Sequence, residues 1–86
     1  MKTKLDKEDI DNAIVSEEYR VFSGRLTVCV LTLKNGFLVT GESACVSEEN
    51  FDAALGREIA LANAEEKVWQ LEGYALRNKL FNHKEQ

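Results

Sequence analysis

The pair Asn35-Gly36 lies between two runs rich in strand-forming residues, Leu26–Leu33 and Phe37–Val46. In that setting it predicts a two-residue type I′ turn, in which both central residues take positive φ. A turn of that kind sets a register. Leu33 then faces Leu38, Thr32 faces Val39, Val30 faces Gly41 and Cys29 faces Glu42. One sheet face carries Leu26, Val28, Val30, Phe37, Val39 and Cys45. The other carries Thr27, Cys29, Leu31, Leu33, Leu38, Thr40 and Glu42. The first is more apolar and is expected to meet the main helix. The second is half apolar and is expected to be covered by the first helix or by another subunit. In this register Cys29 and Cys45 point to opposite faces, so an internal disulfide lacks the geometry it needs. A bulge near Gly41 would shift the count by one.

Helical patterns flank the hairpin. Asp6 is a good N-cap for a short helix from about Lys7 to Glu17, because its carboxylate can accept from free backbone N–H groups. Leu5 and Ile10 have hydrophobic-staple spacing, and Ile10, Ala13 and Ile14 form an apolar stripe. Tyr19–Phe22 reads as a short edge strand ending at the Ser23-Gly24 turn. After the hairpin, Ser47 is the expected cap of a second helix, with Glu48 and Glu49 in its first turn. Phe51, Leu55, Ile59, Ala62, Trp69, Leu76 and Leu80 make one apolar face at helical spacing. Gly56, Ala60 and Ala64 make a second stripe of small residues. It would let the first helix, the sheet or a second subunit approach closely.

The expected fold is therefore α+β. A short N-terminal helix precedes an antiparallel hairpin or three-stranded meander (about 19–22, 26–33 and 37–45). A long C-terminal helix (about 48–80) packs on the sheet. The 86 residues suit a single domain, 1–86, with mobile ends at about 1–4 and 82–86. A helix of about 34 residues would reach roughly 50 Å. A compact chain of this length has a radius of gyration of roughly 12 Å. Either the helix breaks at Gly73, or its end projects onto a partner. A homodimer is expected, with the end beyond Gly73 bent back or crossing to the second chain.

Charge and motif content exclude several functions. The formal net charge is −4, which opposes broad nucleic-acid binding, where Lys and Arg neutralise phosphates. An acidic DNA mimic also fits poorly, because Lys and Arg interleave with the carboxylates. The start MKTKLDKED lacks the apolar stretch of a signal peptide, and no run of about 20 apolar residues could span a membrane. A cytoplasmic protein is expected. Cys29, Cys45 and His83 are the only soft or imidazole ligands and include no close-spaced pair, so no metal site is expected. No base stands beside a nucleophile, so no catalytic residues and no enzyme activity are expected. The five glycines stand apart and form no phosphate loop, and no cofactor is expected. The most polar part of the hairpin is Thr40-Gly41-Glu42-Ser43. Thr40, Glu42 and Ser43, with Arg57, form the expected ligand- or partner-facing patch.

The run LTVCVLTLKNGF-VTGESACV, followed by NFD, LGREIA and KVW-LEGY, resembles the phage gene-product-49 / gene-66 family of small tailed-phage and prophage proteins. The likeness spans Leu26 to Leu76. It includes Cys29, Asn35, Gly36, Gly41, Glu42, Cys45, Gly56, Ala60, Ala64, Trp69 and Gly73. It implies a phage or prophage origin and action in a bacterial host cytoplasm. It brings no catalytic residues with it. Two readings of function follow. One is a non-enzymatic accessory protein, a dimeric interaction module that binds an unidentified host or phage protein and modulates host machinery. The other is a small-ligand or nucleotide-binding, sponge-like protein with a pocket near Thr40–Ser43.

Overall fold

The computed structural model describes residues 2–85. The order of elements is α1 (Lys7–Ala13), β1 (Ile14–Phe22), β2 (Leu26–Leu33), β3 (Leu38–Ala44), a 3-10 turn (Glu48–Asn50) and α2 (Ala53–Glu85). The three strands form one antiparallel sheet in the order β1-β2-β3. The long helix packs on one face of that sheet, as expected of the α+β class.

Helix α1 starts as its sequence predicts. The Asp6 carboxylate accepts from the Asp9 N–H at 3.1 Å, and the Asp9 carboxylate accepts from the Asp6 N–H at 3.0 Å. This reciprocal capping box satisfies two donors at the helix start. Ile10 and Ala13 are buried, and Leu5 packs against the core. The helix ends at Ala13 rather than near Glu17, because Ile14 and Val15 turn extended and enter β1. The first strand therefore has nine residues where the sequence predicts four. A bulge between Ile14 and Ser16 lets β1 leave the helix and still pair with β2.

The hairpin register differs from the type I′ expectation by one residue. Leu31 pairs with Val39, Val30 with Thr40, Cys29 with Gly41 and Thr27 with Ser43. The loop has three residues, Lys34-Asn35-Gly36. The Gly36 N–H donates to Leu33 O and the Leu33 N–H to Phe37 O, both at 2.9 Å. Only Gly36 takes positive φ there, at 88°. The Asn35 side-chain oxygen instead accepts from the Phe37 N–H at 3.0 Å. The adjacent positive φ values that mark a primed turn occur at Ser23 and Gly24.

A one-residue shift exchanges the faces. The face that meets α2 carries Thr27, Cys29, Leu31, Leu33, Val39 and Gly41, all buried. Leu26, Val28 and Val30, expected in the core, lie on the other face. Cys45 is opposite Arg25, its N–H donating to Arg25 O at 2.9 Å. It therefore shares a face with Cys29, contrary to the first register. The two thiols are free. Cys45 lies four residues beyond Gly41, the partner of Cys29, so roughly 13 Å of strand separates them. That exceeds the reach of a disulfide.

Helix α2 starts later than Ser47. The Ser47 side chain caps nothing, and residues 48–50 form only the 3-10 turn. The Asp52 carboxylate caps α2, accepting from the Leu55 N–H at 3.0 Å. Gly56, Ala60, Ala64 and Val68 are buried and form the stripe that meets the sheet. The larger apolar face does not form the contact: Leu55, Ile59 and Ala62 are exposed, while Phe51, Trp69, Leu76 and Leu80 are only half-buried. The reason lies on the sheet. A Cβ on Gly41 would fall 2.3 Å from Ala60 O and 2.3 Å from Ala64 N. The helix rests directly on strand backbone there, and only small residues permit that approach. Asn63 adds a tie, its side-chain N–H donating to Glu42 O at 2.8 Å.

The helix does not break at Gly73. It runs for 33 residues, about 50 Å, past a sheet whose strands of seven to nine residues span roughly 23–30 Å. The molecule measures 58 × 19 × 18 Å, with a radius of gyration of 15.9 Å. Residues 82–85, within the expected mobile tail, continue the helix. Met1 and Gln86 lie outside the described residues.

Candidate functional site

The uncovered face of the sheet is built by alternation along three strands. β2 contributes Leu26, Val28, Val30 and Thr32, and each is half-buried. Across the ladder Phe22 opposes Leu26, Arg20 opposes Val28 and Glu18 opposes Val30. On the other side Thr40 opposes Val30, Glu42 opposes Val28 and Leu38 opposes Thr32. The apolar side chains run down the middle strand, with exposed Phe22 and Leu38 at the margins. Glu18, Arg20 and Glu42 form a charged rim. An apolar centre within a polar rim is how protein interfaces are arranged.

The expected patch is divided by this geometry. Thr40 and Glu42 lie on the open face, Thr40 half-buried and Glu42 exposed. Ser43 lies on the helix face and lines a small recess of about 110 Å³ with Gly56 and Ile59. Arg57 is exposed on α2, which packs on the sheet face away from Thr40 and Glu42. The stripe Gly56, Ala60, Ala64 meets the chain's own sheet. Gly56 approaches Thr27, where an added Cβ would lie 2.8 Å from Thr27 Oγ1.

Two larger concavities flank α2. A cleft of about 550 Å³ lies between the start of α1, the hairpin loop and the distal part of α2. Leu5, Leu33 and Leu76 line it, with Lys34, Glu72 and Lys79 around them. A groove of about 370 Å³ lies between β3 and α2, lined by Phe37, Leu38, Lys67 and Leu71 among others. Helix α1 is held against α2 by Lys7, whose Nζ lies 2.9 Å from both Asp11 Oδ1 and Glu65 Oε2. The hydrogen bond to Glu65, with that to Asp11, raises the Lys7 pKa above its ordinary value.

The titratable groups in the core are poorly placed for chemistry. Cys29 is fully buried, and desolvation raises its pKa. A thiol so shifted stays protonated at neutral pH and is a weak nucleophile. Tyr19, opposite Cys29 on β1, is pushed up to about 12, chiefly by burial. Cys45 donates its thiol hydrogen to Ser47 O at 3.2 Å. Among the described residues no three His, Cys, Asp or Glu side chains gather as a metal site. No helix there is long and apolar enough to cross a membrane.

Fold and surface together define a small α+β protein whose sheet is covered on one face only. The chain belongs to the phage protein (N4 Gp49/phage Sf6 gene 66) family, whose model matches residues 5–80. The match begins before α1 and extends nearly to the end of α2, so all the elements belong to the family unit. No curated protein and no solved structure matches the chain.

The sequence pattern assigns Leu26, Val28 and Val30 of the open face to the core. The signal that could have placed them is Gly41. A glycine within a strand suggests close backbone approach, and the small-residue stripe of α2 is its natural counterpart. With the three-residue hairpin loop, in which Gly41 pairs with Cys29, that approach puts Cys29 and Leu31 beneath the helix; with a two-residue loop it would put Val28 and Val30 there.

Proposed function

We propose that this chain is a small non-enzymatic phage or prophage accessory protein, a dimeric interaction module that binds a host or phage protein in the bacterial cytoplasm. Family membership supports the phage context. The observation that carries the interaction reading is the open sheet face. Leu26, Val28 and Val30 hold its centre, and among the described residues no helix lies over them. Such a surface gains free energy when a partner removes it from water, at roughly 25 cal/mol per Å² of apolar area. Modulation of host machinery would follow from which protein is bound.

The test is affinity capture from lysate of infected and uninfected bacteria, using wild type and a Val28→Lys/Val30→Lys variant with circular dichroism like that of wild type. A protein retained by wild type and lost by the variant supports the reading. Identical captures, or none, contradict it.

A second reading, small-ligand or nucleotide binding, is favoured by the 550 Å³ cleft beside Lys34 and Lys79 rather than by Thr40–Ser43. A thermal-shift panel of nucleotides on wild type and Lys34→Ala/Lys79→Ala separates it. Stabilisation that the variant loses supports this reading, and no shift across the panel counts against it.

A further inference from the structure

We infer that two copies of this chain pair through the distal half of α2, antiparallel, with Phe81 of each copy seated in the Phe37/Leu38/Leu71 groove of the other. This rests on the dimeric part of the proposed function; it shares Leu38 with the margin of the open sheet face but does not involve that face's centre, Leu26, Val28 and Val30.

Five large apolar side chains gather along one side of the molecule. Phe37 is 55% exposed, Leu38 60%, Leu71 38%, Tyr74 70% and Phe81 52%. Phe37, Leu38 and Leu71 line the 370 Å³ groove. Tyr74 and Phe81 continue it along α2, three and ten residues beyond Leu71, on one helical face. None of the five belongs to the core cluster or its partly buried shell. With side chains of this size, they leave roughly 600 Å² exposed per chain. A stable interface of ordinary size buries about 800 Å² per partner. The patch therefore supplies most of what a dimer needs, and its polar margin supplies the remainder.

The spacing selects a second copy as the occupant. Leu71, Tyr74, Asn78 and Phe81 follow one another at intervals of three, four and three. That pattern reads the same from either end. Two antiparallel helices centred on this segment bring Leu71 opposite Phe81 and Tyr74 opposite Asn78, twice over. Phe81 of one copy then arrives beside Leu71 of the other, where Phe37 and Leu38 complete the groove. An isologous contact of this kind closes as a dimer and leaves no repeating surface for further growth.

Length supports the same arrangement. The end of α2 overhangs the sheet, and a single chain offers Phe81 nothing to pack on among its core residues. In the antiparallel pair the overhang of each copy lies over the hairpin end of the other.

The test is analytical ultracentrifugation of the full chain from about 1 to 100 µM, as wild type, Phe81→Glu, Leu71→Glu and Val28→Lys. Phe81 and Leu71 are surface side chains, and circular dichroism establishes that the variants fold. Wild type and Val28→Lys are expected to be dimers. Phe81→Glu and Leu71→Glu should raise the dissociation constant at least about 30-fold, the effect of losing an interface hot spot. The register is tested by oxidising a mixture of Tyr74→Cys and Asn78→Cys chains, which should cross-link to each other faster than either does to itself. A wild type monomeric at 100 µM overturns this interface together with the dimeric reading, while partner capture by the sheet face stands or falls separately. A dimer that persists in both glutamate variants overturns this interface alone.

Discussion

Gly41 is the residue on which the packing of α2 depends. A methyl group there would meet the backbone of Ala60 and Ala64, not a side chain that can move aside. Gly41→Ala is therefore expected to cost about 3 kcal/mol, the upper range for overpacking, measured by urea denaturation. A loss below about 1 kcal/mol would mean that the helix stands further from the strand. Thr27 gives the opposite case. Its hydroxyl is fully buried and has no hydrogen-bond partner among the described residues. A buried donor left unmade is costly, whereas a methyl of similar shape is not. Thr27→Val is expected to stabilise the fold by about 1 kcal/mol in the same assay. These two residues mark how far single positions were legible. The small stripe of α2 announced a close approach, whereas Gly41 suggested only a bulge that would shift the register. Thr27 falls on the half-apolar face expected to be covered by the first helix or another subunit, and α2 covers it instead.

At the level of elements, the strong local signals were read correctly and the register was not. The Asp6 cap, the Leu26–Leu33 strand and the long C-terminal helix all follow from local chemistry. The Asn-Gly pair suits either a two-residue loop or a three-residue loop with glycine at the left-handed position. The choice between them moves every side chain of β3 to the other face. Both faces of β2 are apolar enough to be a core, so alternation did not decide it. The extent of β1 was missed for a different reason. Glu17 and Glu18 suit a helix, but the β-branched pair Ile14-Val15 and pairing with β2 pull the segment into the sheet. Gly73 tests the integrity of α2. A Cβ there would meet nothing within 4 Å, and helical glycine costs roughly 1 kcal/mol relative to alanine. Gly73→Ala should stabilise the chain by about 0.5–1 kcal/mol in thermal denaturation. It lies off the Leu71–Phe81 face, so the sedimentation of the dimer should not change. Destabilisation would indicate a contact at Gly73 that the single chain does not contain.

The whole molecule is elongated because its longest element is much longer than the sheet it covers. One chain buries the small-residue stripe of α2 and leaves two apolar surfaces, the open sheet face and the Leu71–Phe81 seam. The sequence pointed to surplus apolar surface and to a partner. It placed Leu26, Val28 and Val30 inside, where the structure leaves them on the open face. It offered the first helix, the sheet or a second subunit as neighbour of the small-residue stripe, of which the structure shows the sheet. The functional account depends on which sheet face meets α2. An isotope-filtered NOE experiment on a one-to-one mixture of labelled and unlabelled chains measures this directly. The account predicts intrachain NOEs from the Ala60 and Ala64 methyls to Gly41 and Cys29, and none from the Val28 or Val30 methyls to α2. NOEs linking Val28 or Val30 to α2, or Ala64–Gly41 contacts found only between chains, would contradict it.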